Sequence, residues 1–338
     1  FIMTLSLFLL ISVIIVALAF DYINGFHDCA NSIASIVSTK VLSPRQAVLF
    51  GAVLEGTGAL LGVNVAKTIG AGIIASDTIT LQVILCALLT AVIWNLITWW
   101  FGLPSSSSHA LIGGLLGSAF IHAGLDPINF AVLIEKVIVP MFGSPVVGFV
   151  IGFLVMCAFL RMFYRMKPDV INRRFKRVQL IASGLMALSH GLNDAQKTMG
   201  VITMALVTGG VLVMPQGEFY IPVYVKIICA ITMALGTMSG GWKIIKTMGS
   251  KIIKLKPISG AAADFAASSI VLAASAFGIP LSTTHVVSTS IMGVGTAIKG
   301  SSIRTNIIGN IVTAWVLTIP CCVIMSIVLY SILRHIPH

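Results

Sequence analysis

The sequence predicts an all-α, polytopic membrane protein, and three observations support this prediction. Of its 338 residues, 57% are hydrophobic and only 9% are charged, whereas soluble domains carry about 25% charged residues. Several apolar stretches approach or exceed the roughly 20 residues that a membrane-spanning helix needs. They cover residues 1–20, 45–66, 79–101, 146–160, 222–242, 261–277 and 305–333. The third observation is an internal repeat, which predicts two inverted repeats with discontinuous helices.

Three short motifs occur twice, in the same order, and divide the chain into two halves. Residues 1–160 and 178–338 form the predicted transmembrane repeats, and residues 161–177 form a basic linker between them. The matched segments are 25–32 with 191–198, then 56–57 and 67–70 with 236–237 and 246–249, and finally 102–109 with 278–285. One short match can arise by chance, whereas three collinear matches indicate a duplication.

Equivalent connectors of the two halves carry opposite charge bias. Residues 40–45 are basic, but the matching connector, 213–222, contains only one charged residue, Glu218. Residues 67–77 are nearly neutral, but residues 243–256 contain five lysines. Because basic connectors mark the cytoplasmic side of a membrane, the two repeats are predicted to be inverted, with linker 161–177 in the cytoplasm. The net charge of +11 then reflects topology, and we expect no nucleic-acid partner.

Each half carries a Gly-x-Pro break that is followed by hydroxyl residues and a histidine. Proline suits the first turn of a helix, and serine or threonine caps that turn while backbone N–H groups point outward. Such a helix N-terminus is a ready-made anion site. Two of them in so apolar a chain suggest two half-helices that hold one anion. The hydroxyl residues are Ser105, Ser106, Ser107, Ser108, Ser282, Thr283 and Thr284.

Ionisable residues inside membrane spans are costly and usually functional. Asp28 and Asp194 occupy equivalent positions in the repeat, so a pseudo-two-fold axis is expected to bring them together. Two carboxylates and nearby amide oxygens form a hard oxygen cage that suits Na⁺; alternatively, the two carboxylates share a proton. The amides are those of Asn31, Asn193 and Gln196.

Two basic residues beside the aspartates have open roles. Lys197 stands where the first repeat has Asn31, and it either neutralises an aspartate or contacts the anion. His27 is a candidate proton carrier, because histidine titrates near neutral pH. For Glu55 and Asp264, a structural and a functional role are equally open. Inverted repeats with broken helices and a central ion site are the architecture of secondary transporters.

The motifs at 24–31 and 190–197, together with both Gly-x-Pro-hydroxyl-His segments, resemble those of the Pit family of inorganic phosphate transporters. The resemblance covers nearly the whole chain. It implies symport of inorganic phosphate with a cation, two re-entrant hairpins in an inverted-repeat fold, and commonly a homodimer. It also implies which residues meet each solute: phosphate would contact residues 105–108 and 282–284 near Gln196, and cations would contact Asp28, Asn31, Asn193 and Asp194.

The first repeat departs from the family pattern at His27, where many members have asparagine. A histidine there is similar to a bacterial branch thought to use protons and to carry metal–phosphate complexes. The driving cation is therefore predicted to be H⁺ or Na⁺, and Asp28 and Asp194 are candidate ligands of Na⁺ or of a metal–phosphate complex. No other cofactor is expected. We expect a multi-pass protein of the plasma membrane, with the lipid bilayer around it.

Three alternatives to phosphate symport deserve comparison. Sulfate is also a tetrahedral oxyanion, but it only accepts hydrogen bonds, so the acceptors Asp28 and Asp194 favour phosphate. An intramembrane protease would use two aspartates as a dyad, but the sequence lacks the Gly-x-Gly-Asp pattern expected of one, and both Ser/Thr motifs would have no purpose. A receptor or scaffold would not need paired ionisable residues inside its spans. We therefore predict a transporter and no enzymatic activity.

Overall fold

The structure, a computed structural model, describes residues 2–74, 79–214, 219–298 and 304–334, except for the side chains of residues 2–5 and 71. Glu218 of the connector 213–222 lies outside these ranges. The regular secondary structure of the described residues is helical, apart from one isolated bridge between Ile74 and Ile128. The helices are α1 (Ile2–Ser38), α2 (Pro44–Ala59), α3 (Asn64–Ala71), α4 (Leu81–Phe101), α5 (Ser107–Ala123), α6 (Phe130–Leu133), α7 (Val139–Met162), α8 (Pro168–Thr208), α9 (Val223–Ser239), α10 (Trp242–Lys246), α11 (Pro257–Ala276), α12 (Thr283–Ala297) and α13 (Thr305–Leu333).

Within the described residues, five helical segments are long and apolar enough to span a membrane, or seven if each of two bent pairs counts as one span. One bent pair is α2 with α3, which meet at 71°. The other is α9 with Trp242–Lys251, which comprises α10 and a π-helical turn, and these meet at 61°. The two pairs occupy the same place in the two halves, and they confirm the predicted discontinuous helices.

The two halves share one order of elements. Each has a long helix, a bent pair, a hairpin of two helices and a last long helix: α1, α2–α3, α4–α5 and α7 in the first half, and α8, α9–α10, α11–α12 and α13 in the second. The predicted linker 161–177 is mostly helical, because α8 already begins at Pro168. Proline fits this first helical position, since its missing N–H would have no partner there.

The segment α4–α5 is an antiparallel hairpin whose tip is the first Gly-x-Pro motif. Ser118 on α5 donates a hydrogen bond to the Val83 carbonyl near the start of α4, at 3.0 Å. The tip begins at Gly102 and its counterpart in α11–α12 begins at Gly278, both with φ of +65°, a conformation that glycine adopts without steric cost. Residues 79–101 therefore form one arm of a hairpin, and α5 returns along this arm.

Each hairpin packs against the last helix of the other half. α13 lies along α5, where Ser326 donates a hydrogen bond to the Gly114 carbonyl at 2.6 Å. α7 lies along α12 so closely that a Cβ on Gly293 would come within 2.0 Å of the Phe149 carbonyl oxygen. The two halves are therefore interlocked, and neither hairpin is held by its own half alone.

The long helices α1 and α8 pack together, and each carries an Asp motif inside an unbroken helix. Their polar side chains at residues 27–32 and 193–198 are buried. Large apolar side chains such as Phe8, Trp100, Phe142 and Val316 are exposed instead. Such an outward apolar surface suits lipid tails, which are as apolar as leucine. The fold therefore buries its polar residues in the centre of a membrane protein.

Candidate functional site

The two hairpin tips are built alike. Ser106 caps α5 by accepting a hydrogen bond from the His109 N–H at 3.2 Å, and Ser282 caps α12 by accepting one from the His285 N–H at 3.3 Å. The rings of these two histidines contact each other, with centroids 4.9 Å apart. Because equivalent residues of the repeats touch, the pseudo-two-fold axis passes between the tips.

Asp28 on α1 is buried and bonded to both tips. Ser107 of the first tip donates a hydrogen bond to Asp28 Oδ2 at 2.9 Å, and Thr284 of the second donates one to Oδ1 at 3.5 Å. His27 Nδ1 lies 2.7 Å from the same Oδ1, and its Nε2 lies 3.0 Å from the Thr98 hydroxyl. The predicted proton carrier is therefore in direct contact with the first aspartate.

Asp194 on α8 has a different set of partners. Lys197, one turn further along the helix, donates hydrogen bonds to Asp194 Oδ1 at 2.7 Å and to the Leu281 carbonyl at 3.3 Å. Thr283 of the second tip donates a hydrogen bond to Asp194 Oδ2 at 3.4 Å. The lysine is fully buried. Of the two roles left open for Lys197, the neutralisation of an aspartate is the one that these contacts favour.

Asn31 joins the first half to the second tip. Its Nδ2 donates hydrogen bonds to the hydroxyls of Thr283 at 3.2 Å and Thr284 at 3.0 Å. The two threonines in turn face Asp194 and Asp28. A continuous chain of hydrogen bonds therefore runs from one aspartate to the other.

A second layer behind the aspartates is centred on Glu55. This buried carboxylate accepts hydrogen bonds from Ser32 at 2.5 Å and from Thr237. His190 Nδ1 lies 2.9 Å from Glu55 Oε1, and the other ring nitrogen, Nε2, lies 3.4 Å from Asp194 Oδ2 without forming a hydrogen bond. A carboxylate on one side of an imidazole fixes the ring's orientation. Glu55 therefore holds the His190 ring in an orientation that directs Nε2 toward Asp194.

Three buried side chains could together hold a cation. Asp28, His190 and Asp194 each offer one ligand atom, and these atoms lie within 4.8 Å of one another. Carboxylate oxygens suit hard cations such as Na⁺, and an imidazole nitrogen suits transition metals. The predicted metal ligands Asp28 and Asp194 thus come together as expected, and His190 is an addition to the set.

Four predicted site residues form their hydrogen bonds with groups other than the two aspartates. Gln196 Oε1 accepts hydrogen bonds from the N–H groups of residues 65 and 66 at the start of α3, at 2.8 and 3.2 Å. Asn193 Nδ2 bonds to Ser275 on α11 at 2.9 Å, and its Oδ1 has no hydrogen-bond partner. Ser105 donates a hydrogen bond to Thr98, and Ser108 donates one to the carbonyl of residue 281.

Two further buried carboxylates lie beside α1, Asp264 on α11 and Asp21 on α1 itself. Asp264 accepts hydrogen bonds from Ser35 at 2.6 Å and from Ser183 at 2.5 Å. Asp21 was missed by the sequence reasoning, because it directly follows the first apolar stretch. Its spacing of seven residues from Asp28, which places both on one face of a helix, is the signal that could have found it.

Comparison with known proteins decides the family. A model described as the phosphate transporter family matches residues 24–326. The chain belongs to this family. A probable low-affinity inorganic phosphate transporter of Bacillus subtilis is 44% identical over 338 residues, which cover 99% of this chain and 100% of the relative. One from Rhizobium meliloti is 45% identical over 328 residues, 97% of each chain.

A solved structure, that of a sodium-dependent phosphate transporter, has the same fold. Its TM-score is 0.87 at 26% identity, with 97% of this chain and 100% of that chain covered. The predicted resemblance to inorganic phosphate transporters and the helical membrane fold are confirmed, as is the prediction that the protein is not an enzyme. The comparisons give the sulfate alternative no support.

Proposed function

We propose that this protein is a secondary active symporter that moves inorganic phosphate together with a cation. The observation that carries the proposal is the meeting of two hydroxyl-bearing helix N-termini, those of α5 and α12, at the buried Asp28 and Asp194. Helix N-termini with free N–H groups and hydroxyls bind tetrahedral oxyanions, and carboxylates bind cations. The family supports phosphate as the solute, and the name of the structural relative supports a cation as its companion.

The charges around the site explain why the anion needs a cation. Asp28, Asp194 and Glu55 supply three carboxylates, and Lys197 supplies one ammonium. The carboxylates outnumber the ammonium, and phosphate adds further negative charge. Like charges a few ångströms apart in a low-dielectric interior repel strongly. Phosphate therefore binds only when cations bind with it. This requirement is the physical basis of coupled transport.

Each half supplies part of this chemistry. The hydroxyls and N–H groups of residues 105–108 and 282–284 hold the phosphate, and Lys197 offsets the charge of Asp194. The cation is Na⁺ between the two aspartates, with Asn31 and Asn193 near it, or a proton shared by His27 and Asp28. His190 Nε2, which faces Asp194, gives the same pocket a nitrogen ligand for a metal–phosphate complex. Rocking of the interlocked repeats about this centre then exposes it to each side in turn.

Substitution of the two aspartates tests the proposal. Purified protein is reconstituted in liposomes, and uptake of labelled phosphate is measured for Asp28→Asn and Asp194→Asn. Both variants are expected to fall to the background of empty liposomes while they elute as a monodisperse peak in detergent. Asp126→Asn is the matched control, because Asp126 is exposed in the connector after α5. Uptake at the wild-type rate by either aspartate variant would contradict the proposed role of that aspartate.

We also propose that the protein lies in the plasma membrane with linker 161–177 in the cytoplasm, and that it forms a homodimer. The α4–α5 hairpin opens into the connector that contains Asp126, and the helical segment Phe130–Met162 then crosses to the linker. Cysteines introduced as Asp126→Cys and Arg173→Cys are expected to react with an impermeant maleimide from opposite sides of the membrane.

The proposed homodimer is tested by chemical cross-linking of the protein in its native membrane.

A further inference from the structure

Asp21 on α1 is a buried carboxylate that the transport site does not use. Its side chain is fully buried, and neither carboxylate oxygen accepts a hydrogen bond within the described residues. None of the ion pairs found in the described part of the chain includes Asp21. An ionised carboxylate inside a protein requires a partner. Asp21 can therefore ionise only when a positively charged group from outside the described part of the chain joins it.

Two other buried, oxygen-bearing side chains belong to the same region, Asn24 by its position on α1 and Thr198 by its contact with Asp21. Asn24, one turn along α1, is fully buried and has no hydrogen-bond partner at either side-chain atom. Thr198 on α8 lies beside Asp21, and its buried hydroxyl also has no well-formed hydrogen bond. Unpaired buried polar atoms are uncommon in folded proteins and call for an explanation. Here three of them lie on the adjoining helices α1 and α8, and they are called the Asp21 cluster.

The cluster lies on the same face of α1 as the central site. Asp21, Asn24 and Asp28 follow one another at spacings of three and four residues, which is the spacing of neighbours on one helix face. Seven residues of helix place Asp21 about 10 Å along the axis from Asp28, at a rise of ~1.5 Å per residue. Thr198 is likewise one turn beyond Asp194 on α8. The cluster is therefore a distinct position next to the aspartate pair and on its N-terminal side along α1.

We propose that Asp21, Asn24 and Thr198 form a binding site for one monovalent cation of the Na⁺ class. The donor set consists of a carboxylate, an amide oxygen and a hydroxyl, which are hard oxygen ligands and suit Na⁺ rather than a transition metal. One carboxylate matches one positive charge. The repeat has Ala187 at the position equivalent to Asp21, so the site has no symmetry-related copy built on that position.

Binding of ²²Na⁺ to the purified, full-length protein in phosphate-free buffer tests this site. Asp21→Asn is expected to reduce the number of Na⁺ ions bound per chain by one, or to weaken binding about tenfold or more. Thr198→Val, which removes one hydroxyl ligand at nearly constant volume, is expected to weaken binding less. Asp126→Asn, at an exposed aspartate, is the charge-matched control and should bind as the wild type does. Elution as a single peak in detergent shows that each variant is folded.

Two results would overturn the site: no saturable ²²Na⁺ binding by the wild type, or binding by Asp21→Asn that equals the wild type in number and affinity. Either result would leave a proton as the partner of Asp21. The site does not rest on the proposed transport, because binding is measured without phosphate. A chain that binds Na⁺ through Asp21 but does not transport phosphate would contradict the proposed function and leave this inference standing.

Discussion

Lys197 Nζ lies 2.7 Å from Asp194 Oδ1, and both side chains are buried beside the tip of the second hairpin. The equivalent pair in the first half is Asn31 and Asp28, and Asn31 donates its hydrogen bonds to threonines instead. The ammonium also contacts the carbonyl of Leu281, so its two partners are oxygen atoms of the kind that bind Na⁺. The second half therefore carries its own positive charge beside Asp194, the Lys197 ammonium, whereas the first half has the neutral Asn31 at the equivalent position.

Replacement of this lysine should raise the need for a free cation. Lys197→Asn restores the residue of the first repeat and leaves Asp194 without its ammonium. Phosphate uptake at low Na⁺ is expected to fall about tenfold or more, a rise of ~1.4 kcal/mol in the rate-limiting barrier, and to recover partly at high Na⁺. Initial rates in proteoliposomes across a series of Na⁺ concentrations measure this. Lys246→Asn, at an exposed lysine, is the control; equal behaviour of the two variants would contradict the role.

Glu55 is expected to be essential through His190. Glu55→Gln removes the charge that the His190 Nδ1 faces at 2.9 Å, and it disturbs the hydrogen bonds from Ser32 and Thr237. Each buried polar group left unsatisfied costs about 1–3 kcal/mol, so the unfolding temperature in detergent should fall and phosphate uptake should drop with it. Glu135→Gln serves as the control, because Glu135 is exposed. A variant with unchanged uptake would show that the second layer is dispensable.

The crossing of α2 and α8 should tolerate no side chain larger than hydrogen at Gly191. A Cβ there would lie 2.0 Å from the Glu55 carbonyl oxygen, so Gly191→Ala must push the two helices apart at the point where Glu55 meets His190. Overpacking of this kind costs about 1–3 kcal/mol. Thermal unfolding and phosphate uptake are both expected to suffer. Gly143→Ala on α7, where a Cβ meets nothing within 4 Å, should leave both unchanged.

Gln196 is expected to stabilise α3 rather than to bind phosphate. The residue before α3, Val63, makes no side-chain cap, and Gln196 accepts the N–H groups of Val65 and Ala66 in its place. Loss of a helix cap costs about 0.5–2 kcal/mol, so Gln196→Ala should unfold at a lower temperature while its KM for phosphate changes little. Gln196→Glu, which keeps an acceptor at the positive end of the helix, should restore stability. A large rise in KM for Gln196→Ala would instead place this side chain at the phosphate.

Much of the site could be predicted because the sequence repeat indicates which residues are related by the pseudo-two-fold axis. Residues at equivalent positions meet across a two-fold axis, as His109 and His285 do, so the sequence could predict that Asp28 and Asp194 lie close together. The same argument fails for contacts that have no counterpart in the other half. His190 and Glu55 are 135 residues apart in sequence, and only the packing of α2 on α8 shows that they touch.

The direction in which a side chain points was the other feature that the sequence could not predict. An amide such as Gln196 fits an oxygen cage by composition alone, and only the position of the α3 N-terminus shows where its oxygen points. Residues 79–101 have the length of a span, and only the antiparallel contact of Ser118 with Val83 shows that the chain returns. Asp21 directly follows an apolar stretch and lies outside the repeated motif, so its burial became evident only in the folded chain.

The most direct test of the account is uptake of labelled phosphate by liposomes that contain the purified protein, with a Na⁺ gradient and a proton gradient imposed separately. The account predicts that at least one gradient drives phosphate to a higher concentration inside than outside. It also predicts that Asp28→Asn and Asp194→Asn abolish this accumulation. If the proton gradient is the driver, His27→Ala should abolish it too. Phosphate that only equilibrates across the membrane under both gradients would contradict coupling at the two aspartates.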